Sequence, residues 1–587
     1  MLEKLRYITD VTTASRYVEH LAAEPIIGVD IETMPLPEYA DHTQAGLDPY
    51  LSRPRLFQAA TLDGRVAVFD LLHIPIKTLQ PLSARPWAVF NGSFEYKHLT
   101  HAGLQLPRFH DVMLMNRLVT HKLHRLSEVV DSVMCIPMNK ELQTSDWSGE
   151  LSREQIEYAA MDALMTVRCG ESLLKQVNRY QQRRLYDLWC HAQPVLADLS
   201  YRGHIFDWEQ HEALASGWAA EKDDLLQALK AHLGDINPNS GTQLGLWLQG
   251  TLDSKTLDKW PRTPKDKLKT DINTLILFAD HAAIMPLLRY KKINKLVSTY
   301  DKGYLKHKHP VTGRLHTSFS IGRALSGRLS SFAPNLQNVP RQDWFRSLFI
   351  PESGHVMVGA DYSQIELRVA ALLANDHNLI DAYRLGVDLH SKTASEMSGT
   401  TDISKAQRQA AKAVNFGNLF AQGAAGLSKT ARTSYGAELS VPDAKKALNT
   451  FAAAYPELHA WKKKRHAEAV SFRRVHTKLG LIRDFDVQGE GYLKAEACNI
   501  PIQGSAAEVL LSAITRLPAA LNGIDARLAH NVHDEILLDV TPGDEGKAQA
   551  ALKTAMVEGF LDVFPEGESI SADLVDTKAG SNWAQAH

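Results

Sequence analysis

The chain has 587 residues, more than one hydrophobic core normally organises, so we expect two to four domains. Hydrophobic residues make up 44% of the sequence and charged residues 22%, which is ordinary for a globular protein. The formal net charge is −2, so the overall charge gives no sign of a polyanionic partner, although a basic channel balanced by acids elsewhere is compatible with it.

The cysteines and the apolar runs indicate more closely which class of protein this is. The four cysteines are far apart and form no CxxC pair, which excludes a disulfide framework and a cysteine zinc site and indicates reduced thiols: Cys135, Cys169, Cys190 and Cys498. No apolar run reaches transmembrane length, and the N-terminus lacks the core of a signal peptide. We therefore expect a cytoplasmic multidomain protein without a membrane partner.

In chain order, the first part alternates short apolar strands with a helix, which predicts an α/β domain. Strands are predicted at 25–33, 65–71 and 87–91, and helical periodicity covers 152–177. A helical stretch leads to a turn at 201–203, and we place the domain boundary near residue 190. Residues 207–300 are predicted to be mainly helical, and from 310 onward strands and helices mix.

Acidic residues are grouped in the predicted α/β domain. Asp30 and Glu32 lie two apart in a strand and therefore on one face, and Tyr158 and Asp162 lie one helical turn apart. Glu95 follows the third strand. A single D-x-E is more often a solvated strand edge than a site. Four acids and a tyrosine in this order instead predict two-metal phosphodiester hydrolysis with Mg²⁺ or Mn²⁺ and a phenol that orients the attacking water.

Three segments of the second half carry a different pattern. Asp361 ends an apolar strand, and a predicted helix repeats Arg408, Lys412, Phe416 and Phe420 on one face. The third segment, His533-Asp534-Glu535, joins two apolar strands. The helix alone is equally well explained as an amphipathic surface helix.

Together the three segments predict a nucleotidyl-transfer site. Asp361 and Asp534 would hold two Mg²⁺ ions, one beside a primer 3′-OH and one at the triphosphate. Arg408 and Lys412 would contact the phosphates, with Lys412 placed to protonate the leaving group, and Phe416 would stack on the incoming nucleotide.

These segments carry a family resemblance. DYSQIELR, R-x₃-K-x₃-F-G and VHDE resemble motifs A, B and C of family A (bacterial polymerase I-like) DNA polymerases, and residues 313–340 and 499–510 are also similar to that family. The N-terminal acids resemble the DEDDy 3′→5′ exonuclease superfamily.

The resemblance implies a multidomain α/β fold. A ribonuclease H-like exonuclease domain would span 1–190 and a polymerase domain 191–587. Within the polymerase domain we expect a thumb at about 205–310, a palm at about 311–374 and 480–587, and fingers at about 375–479.

The resemblance also assigns further residues. Arg328 and Gln503 would donate to minor-groove acceptors that every base pair offers, so they would test pair shape without reading sequence. Glu366 would be the gate that excludes a ribose 2′-OH. The remaining residues would serve catalysis or contact the primer and nucleotide: Glu535, His533, Tyr362 and Asn499.

The chain departs from the family in two places. Glu95 stands where an aspartate is usual, which moves the carboxylate outward by about one bond length. Phe420 stands where many relatives have a tyrosine that hydrogen-bonds the gate glutamate, so we expect a looser gate and more ribonucleotide incorporation. The first exonuclease motif begins only about thirty residues in. We therefore expect no 5′-nuclease domain and favour a phage-encoded replicative enzyme.

The expected partners follow from this assignment. They are primer–template DNA, single-stranded 3′ ends, dNTPs and two Mg²⁺ ions in each active site, with a helicase or other replisome protein as a possible addition, and the enzyme is expected to be a monomer. Three alternatives stay open: a single-subunit RNA polymerase, an exonuclease with a DNA-binding module, and a non-catalytic nucleic-acid scaffold.

Overall fold

The computed structural model describes residues 2–139, 141–282, 284–485 and 490–587. The N-terminal part is a mixed sheet with helices, as predicted. Its strands are β1 (Lys4–Ile8), β2 (Ile27–Pro35), β3 (Ser52–Ala60), β4 (Arg65–Asp70), β5 (Trp87–Val89) and β6 (Phe109–Asp111), in the order β1-β4-β3-β2-β5-β6. Its helices are α1 (Val11–Ala22), α2 (Ser93–His101), α3 (Val112–Thr120), α4 (Leu126–Met134) and α5 (Arg153–Arg179).

Helix α5 packs closely on β2 because a glycine leaves room for it. A Cβ at Gly28 would lie only 2.2 Å from the carbonyl oxygen of Ala163. The start of α5 is fixed by a capping box, in which the Ser152 side chain accepts from Gln155 N–H and the Gln155 side chain accepts from Ser152 N–H. The strand and the helix that carry three of the predicted acids are therefore held side by side.

A helical region follows, as the sequence predicts. It comprises α6 (Arg183–Arg202), α7 (Trp208–Leu233), α8 (Gly241–Thr251), α9 (Ser254–Lys259), α10 (Ile272–Leu275), α11 (Ile284–Tyr300) and α12 (Lys302–Leu305). Residue 190 lies in the middle of α6, so no loop marks the predicted boundary there. Helices α7 and α11 pack together, and a separate apolar core including Leu233, Leu248 and Leu287 holds the outer end of this module.

The remaining strands and helices form the C-terminal part. Its strands are β7 (Ser318–Ser320), β8 (Ser330–Phe332), β9 (Val356–Tyr362), β10 (Arg474–His476), β11 (Ile482–Asp484), β12 (Ala526–Val532), β13 (Glu535–Val540) and β14 (Val575–Gly580). Its helices are α13 (Asp343–Arg346), α14 (Ile365–Ala374), α15 (His377–Arg384), α16 (Leu389–Ser398), α17 (Lys405–Leu419), α18 (Ala424–Tyr435), α19 (Val441–Ala454), α20 (Pro456–Phe472), α21 (Glu490–Ala520) and α22 (Glu545–Val563).

The centre of this part is an antiparallel sheet with the order β12-β13-β9-β14. Asp361 and Glu535 are partners in the β9–β13 register, so the ends of the motif A and motif C strands meet. Helices α21 and α22 pack on each other, and α22 also contacts β9 and β14. Among the described helices, none has the length and apolar character needed to cross a membrane.

Two histidines are enclosed in the core beside this sheet. The rings of His204 and His530 lie 4.4 Å apart, and burial lowers the pKa of His204 to about 3 and that of His530 well below its usual value. Both are therefore neutral in the fold, whereas the unfolded chain binds protons below about pH 6.5. The free energy of unfolding should fall as pH drops below 6.5, by about 1.4 kcal/mol per pH unit for each such histidine.

We expect His530→Phe to reduce this acid sensitivity. Phe349 stacks on the His530 ring and Trp583 meets it edge-on, and neither ring nitrogen has a hydrogen-bond partner among the described residues, so a phenyl ring fits the same cage. Thermal unfolding at pH 7.5 and 5.5 should show a smaller drop in melting temperature for the variant than for the parent. An equal drop would contradict a neutral, desolvated His530.

Candidate active sites

The first acidic group lies between β2 and α5. Carboxylate oxygens of Asp30, Glu32 and Asp162 all lie within 4.8 Å of one another, the one such group of potential metal ligands among the described residues. Tyr158 lies beside them. Burial raises the pKa of its hydroxyl, and the nearby charge of Asp162 raises that pKa further. Three carboxylates this close repel one another unless a cation lies between them, so the donor set fits a hard divalent ion.

Glu95 approaches this group from the first turn of α2. It is wholly buried, and burial and then the charge of Asp30 raise its pKa well above the usual value. Within the described part of the chain its Oε2 has no hydrogen-bond partner. The structure therefore places Glu95 near Asp30 but outside the group of three, with a carboxylate oxygen available to a second cation.

Sequence reasoning missed Asp111, a buried acid that supports Glu95. It caps α3, and it accepts from the backbone N–H of Gly92 at 2.7 Å and from the side chain of Gln193 at 2.6 Å. These bonds hold the turn that leads into α2 and Glu95. An aspartate directly before the apolar run of α3 is a helix-cap signal, but its contact with Gln193 of α6 is not visible in the sequence.

The second acidic group lies at the C-terminal sheet. Burial and then the charges of Asp534 and Glu535 raise the pKa of Asp361 to about 8, and burial raises the pKa of Asp534 as well. Asp534 sits in the turn between β12 and β13, beside His533, whose φ is +55°. Two half-buried acids whose pKa values are both raised, that of Asp361 partly by the charge of Asp534, fit the binding of divalent cations better than a structural role.

Glu535 is fixed by the end of the chain. Its Oε1 accepts from Trp583 Nε1 at 2.7 Å and lies 2.9 Å from His587 Nδ1. Arg346 lies 3.9 Å from its other oxygen and stacks over the Trp583 ring. Glu535 is therefore held as a supporting acid beside Asp361 and Asp534, and this support was not predicted.

The predicted basic face lies on α17. Arg408 Nε lies 2.9 Å from Asp388 Oδ2, at the start of α16. His390, which sequence reasoning missed, packs 5.9 Å from the Phe416 ring. Burial, with smaller contributions from the charges of Lys412 and Arg408, lowers the pKa of His390 to about 4, and the charge of Asp388 acts in the opposite direction. His390 is therefore a neutral imidazole that lies beside the basic residues of α17.

A cavity in front of the sheet brings several predicted residues together. Its lining includes Arg328, Glu366, Gln503, His533 and Asp534. The guanidinium of Arg328 donates directly to the Glu366 carboxylate. The predicted minor-groove donors, the predicted sugar gate and one predicted metal ligand therefore share one cleft.

Two further contacts shape this cleft. The side chain of Gln337, a residue that no sequence motif marks, accepts from His533 N–H and donates to the Asn531 carbonyl, so it stabilises the β12–β13 turn. Asn499 lies on α21 with a buried Oδ1 that has no hydrogen-bond partner among the described residues.

Tyr362 is placed differently from the prediction. It follows Asp361 on β9, so its side chain leaves the opposite face of the sheet. It is 1% exposed, and its hydroxyl donates to the Met556 carbonyl at 2.6 Å. The structure therefore corrects its assignment to nucleotide and primer binding: Tyr362 is a core residue that anchors β9 to α22.

Phe420 lies at the C-terminal end of α17, with its ring 6.1 Å from that of Phe416. It is half-buried and packs against the main core. The sequence predicts that the Glu366 carboxylate lacks a tyrosine partner, because Phe420 has no hydroxyl. In the structure this carboxylate forms an ion pair with Arg328.

The two sites define the class of protein. One is a carboxylate group on a mixed sheet with an adjacent phenol, and the other is a half-buried acid pair at the end of an antiparallel sheet, in a chain that also carries a basic helix, α17. Together they define a bifunctional enzyme of nucleic-acid chemistry, with one hydrolytic and one nucleotidyl-transfer site.

Comparison with known proteins gives the family. Residues 209–585 match the family described as DNA polymerase family A, and residues 5–178 match the family described as 3′-5′ exonuclease. The chain belongs to DNA polymerase family A and carries a 3′-5′ exonuclease domain, so it is a DNA-directed DNA polymerase.

Relatives differ in how much of their length is shared. The chain is 28% identical to DNA polymerase I of Aquifex aeolicus over 94% of this chain and 95% of that protein. It is 32% identical to DNA polymerase I of Pseudomonas aeruginosa over 73% of this chain, but it spans 47% of that protein. For DNA polymerase I of Geobacillus stearothermophilus the identity is 33%, over 63% of this chain and 43% of that protein.

A solved structure shares the fold. The POL domain of Pol1 from M. smegmatis, in complex with DNA primer-template and dNTP, superposes with a TM-score of 0.82 at 23% identity and covers 99% of this chain and 100% of that chain. The predicted order of an exonuclease domain followed by a polymerase domain is thereby confirmed.

Proposed function

We propose that the chain extends a DNA primer by two-metal nucleotidyl transfer and removes mispaired 3′ ends in its exonuclease domain, with two Mg²⁺ ions in each site. The observation that carries this proposal is the pair of Asp361 and Asp534: the charge of Asp534 helps to raise the pKa of Asp361, and Asp534 lines a cavity together with Arg328 and Glu366. Cations bound there would activate the primer 3′-OH and offset charge on the triphosphate.

Further side chains have separate tasks in the proposed reaction. Arg408, Lys412 and His390 bind the triphosphate, and Lys412 donates a proton to the departing pyrophosphate. Phe416 stacks on the base, and Glu366 excludes a ribose 2′-OH. Arg328, Gln503 and His533 position the primer end.

In the exonuclease domain, Asp30, Glu32 and Asp162 would hold one ion, and Glu95 with Asp30 a second. Tyr158 would orient the attacking water against the terminal phosphodiester. A cytoplasmic location, a phage origin, a replisome partner and a monomeric state stay predictions from the sequence.

The test uses a 5′-labelled primer–template with Mg²⁺, beside Asp534→Ala and Asp30→Ala variants. We expect extension with dNTPs that Asp534→Ala abolishes, and 3′ shortening without dNTPs that Asp30→Ala abolishes. Replacing dNTPs by NTPs should give little product. An enzyme that shortens but does not extend would overturn the polymerase assignment, and extension without shortening would overturn the exonuclease assignment.

We expect Phe420→Tyr to lower ribonucleotide incorporation. The phenol of a tyrosine at the end of α17 would give the Glu366 carboxylate a second donor beside Arg328. A hydrogen bond to a charged group is worth about 1.5–3 kcal/mol, or roughly 10- to 100-fold in selectivity. The measurement is the ratio of single-turnover rates with UTP analogues and dNTPs on one template. Phe416→Tyr, at the neighbouring aromatic position, separates a general effect of an added hydroxyl from one on the gate. Equal ratios for the parent and Phe420→Tyr would contradict the hypothesis that the missing hydroxyl loosens the sugar gate.

A further inference from the structure

Helix α18 reaches across from the predicted fingers to the predicted thumb. Arg432 Nη1 donates to the Leu277 carbonyl at 2.9 Å, and Nη2 lies 2.6 Å from Asp280 Oδ2. Its Nε lies 3.3 Å from Glu438, in the segment that follows α18. One arginine therefore joins the outer end of the 208–305 module to the helix that follows the catalytic helix α17.

Neighbouring residues support the same contact. The pKa of Asp271 lies below its usual value although burial raises it, because Thr274 donates hydrogen bonds to it and the positive charge of Lys429 on α18 lies nearby. Ser428 Oγ donates to the Leu439 carbonyl at 2.6 Å, which ties the segment after α18 back onto the helix. A cavity of about 550 Å³ lies between the two surfaces, so they meet at limited points and are not fused into one core.

The same helix also ends close to the polymerase cleft. Burial raises the pKa of Tyr435, and the charges of Arg341 and Glu366 both act on its hydroxyl. Glu366 lines the cavity that contains Asp534. The C-terminal half of α18 thus extends from the edge of the active-site cleft to the outer end of the opposite wall.

The contact between Arg432 and the 208–305 module is made by exposed side chains and can therefore open. The side chain of Asp280 is 90% exposed, that of Glu438 is 80% exposed, and that of Arg432 is 27% exposed. Ion pairs this exposed are weak and are screened by salt. Each wall keeps its own apolar core, one around Leu248 and Leu287 and one around Val414 and Leu427, so the walls can separate without disturbing either core.

We infer that Arg432, with Leu277 and Asp280, forms a clasp that closes the cleft over bound primer–template and slows its release. DNA enters while the clasp is open, and the clasp then closes beyond it. This inference rests on the proposed function. It adds a residence-time device that none of the catalytic residues supplies.

The experiment measures the residence time of a labelled primer–template after addition of excess unlabelled DNA, and the number of nucleotides added in one binding event. We expect Arg432→Ala and Asp280→Ala each to shorten the residence time about three- to tenfold. Nucleotides added per event should fall by a similar factor, and the single-turnover rate of one addition should stay unchanged. Arg384→Ala is the matched control, since Arg384 is an exposed arginine of α15 that pairs with Asp381 of its own helix.

Asp280→Ala separates the clasp from direct DNA binding. If Arg432 only contacts DNA phosphates, removing the carboxylate of Asp280 strengthens attraction to DNA and lengthens the residence time. The clasp predicts the opposite sign. The exchanged pair Arg432→Asp with Asp280→Arg should recover part of the lost residence time.

The possible outcomes distinguish failure of the clasp from failure of the proposed function. Unchanged residence times, or longer ones in the Asp280→Ala variant, overturn the clasp. Faster DNA binding with unchanged release in both variants would mean that the contact holds the empty cleft shut, which also overturns it. A parent enzyme that extends no primer contradicts the proposed function itself, whereas normal extension with unaltered release contradicts the clasp alone.

Discussion

Asp534→Asn is expected to abolish primer extension, by at least about a thousandfold, and at the same time to raise the melting temperature measured without divalent metal. The structure gives the reason for both effects. Asp361 and Asp534 are both half-buried at the end of the sheet, and desolvation and then the charge of Asp534 raise the pKa of Asp361 to about 8. Because the site must hold cations, its acids repel one another in the folded protein when no cation is bound.

The direction of the stability effect follows from proton linkage. The pKa of Asp361 is raised above its unfolded value, so the folded state binds more protons than the unfolded chain at intermediate pH. The free energy of unfolding therefore falls as pH rises from about 4 towards 8. Replacing Asp534 by the isosteric amide removes one of the repelling charges. The gain should be largest above pH 7, with a rise of roughly 1 °C for each kcal/mol regained in a chain of 587 residues.

Asp576→Asn is the matched control for this prediction. Asp576 is the β14 partner of Asp361 in the sheet, but its side chain is exposed. The charge of Asp576 also raises the pKa of Asp361, but less than that of Asp534, so we expect unchanged extension and a smaller rise in melting temperature than for Asp534→Asn. Added Mg²⁺ should stabilise the parent more than Asp534→Asn, because ligands that bind only the folded state stabilise it. If Asp534→Asn melts at or below the parent temperature at pH 8, the two acids do not repel as described.

Glu95→Gln is expected to reduce 3′ shortening by more than the roughly 10–100-fold that loss of an outer-shell metal partner costs, with primer extension unchanged. Glu95 is buried beside Asp30, and its Oε2 has no partner among the described residues, so the amide keeps the shape but loses the charge a cation needs. Single-stranded DNA with a 3′ label gives the rate directly.

Glu95→Asp tests the unusual side chain at this position. Asp111 and Gln193 fix the turn before α2, so the backbone cannot readily follow a shorter side chain. We expect an activity between those of the parent and Glu95→Gln. Glu171→Gln, an exposed acid of α5 paired with Lys175, is the control and should behave as the parent. Full shortening activity in Glu95→Gln would remove Glu95 from the metal site.

Local sequence patterns anticipated much of the fold and of the acids. The D-x-E spacing puts Asp30 and Glu32 on one face of a strand, and the four-residue repeat puts Arg408, Lys412 and Phe416 on one face of α17, because strand and helix periods are local properties of the backbone. The same period-two rule, applied to Asp361 and Tyr362, would have directed Tyr362 away from the cleft.

The supporting residues could not be found in this way. Gln193 meets Asp111 across 82 positions, and Trp583 meets Glu535 across 48. Arg328 meets Glu366 across 38 positions, and this pair replaces the tyrosine partner that the chain lacks. Such pairs depend on how separate elements pack, and no local period encodes that.

The sequence by itself determined which acids, bases and aromatic residues are present and on which face of a strand or helix each one lies, since those follow from backbone periodicity and from strong motif spacing. Only the tertiary structure decided which carboxylates become buried together, which partners hold Glu95, Glu366 and Glu535, and that Arg432 reaches Asp280. The physical reason is that burial, charge repulsion and long-range hydrogen bonds arise when distant segments pack, and these set the chemistry of the sites.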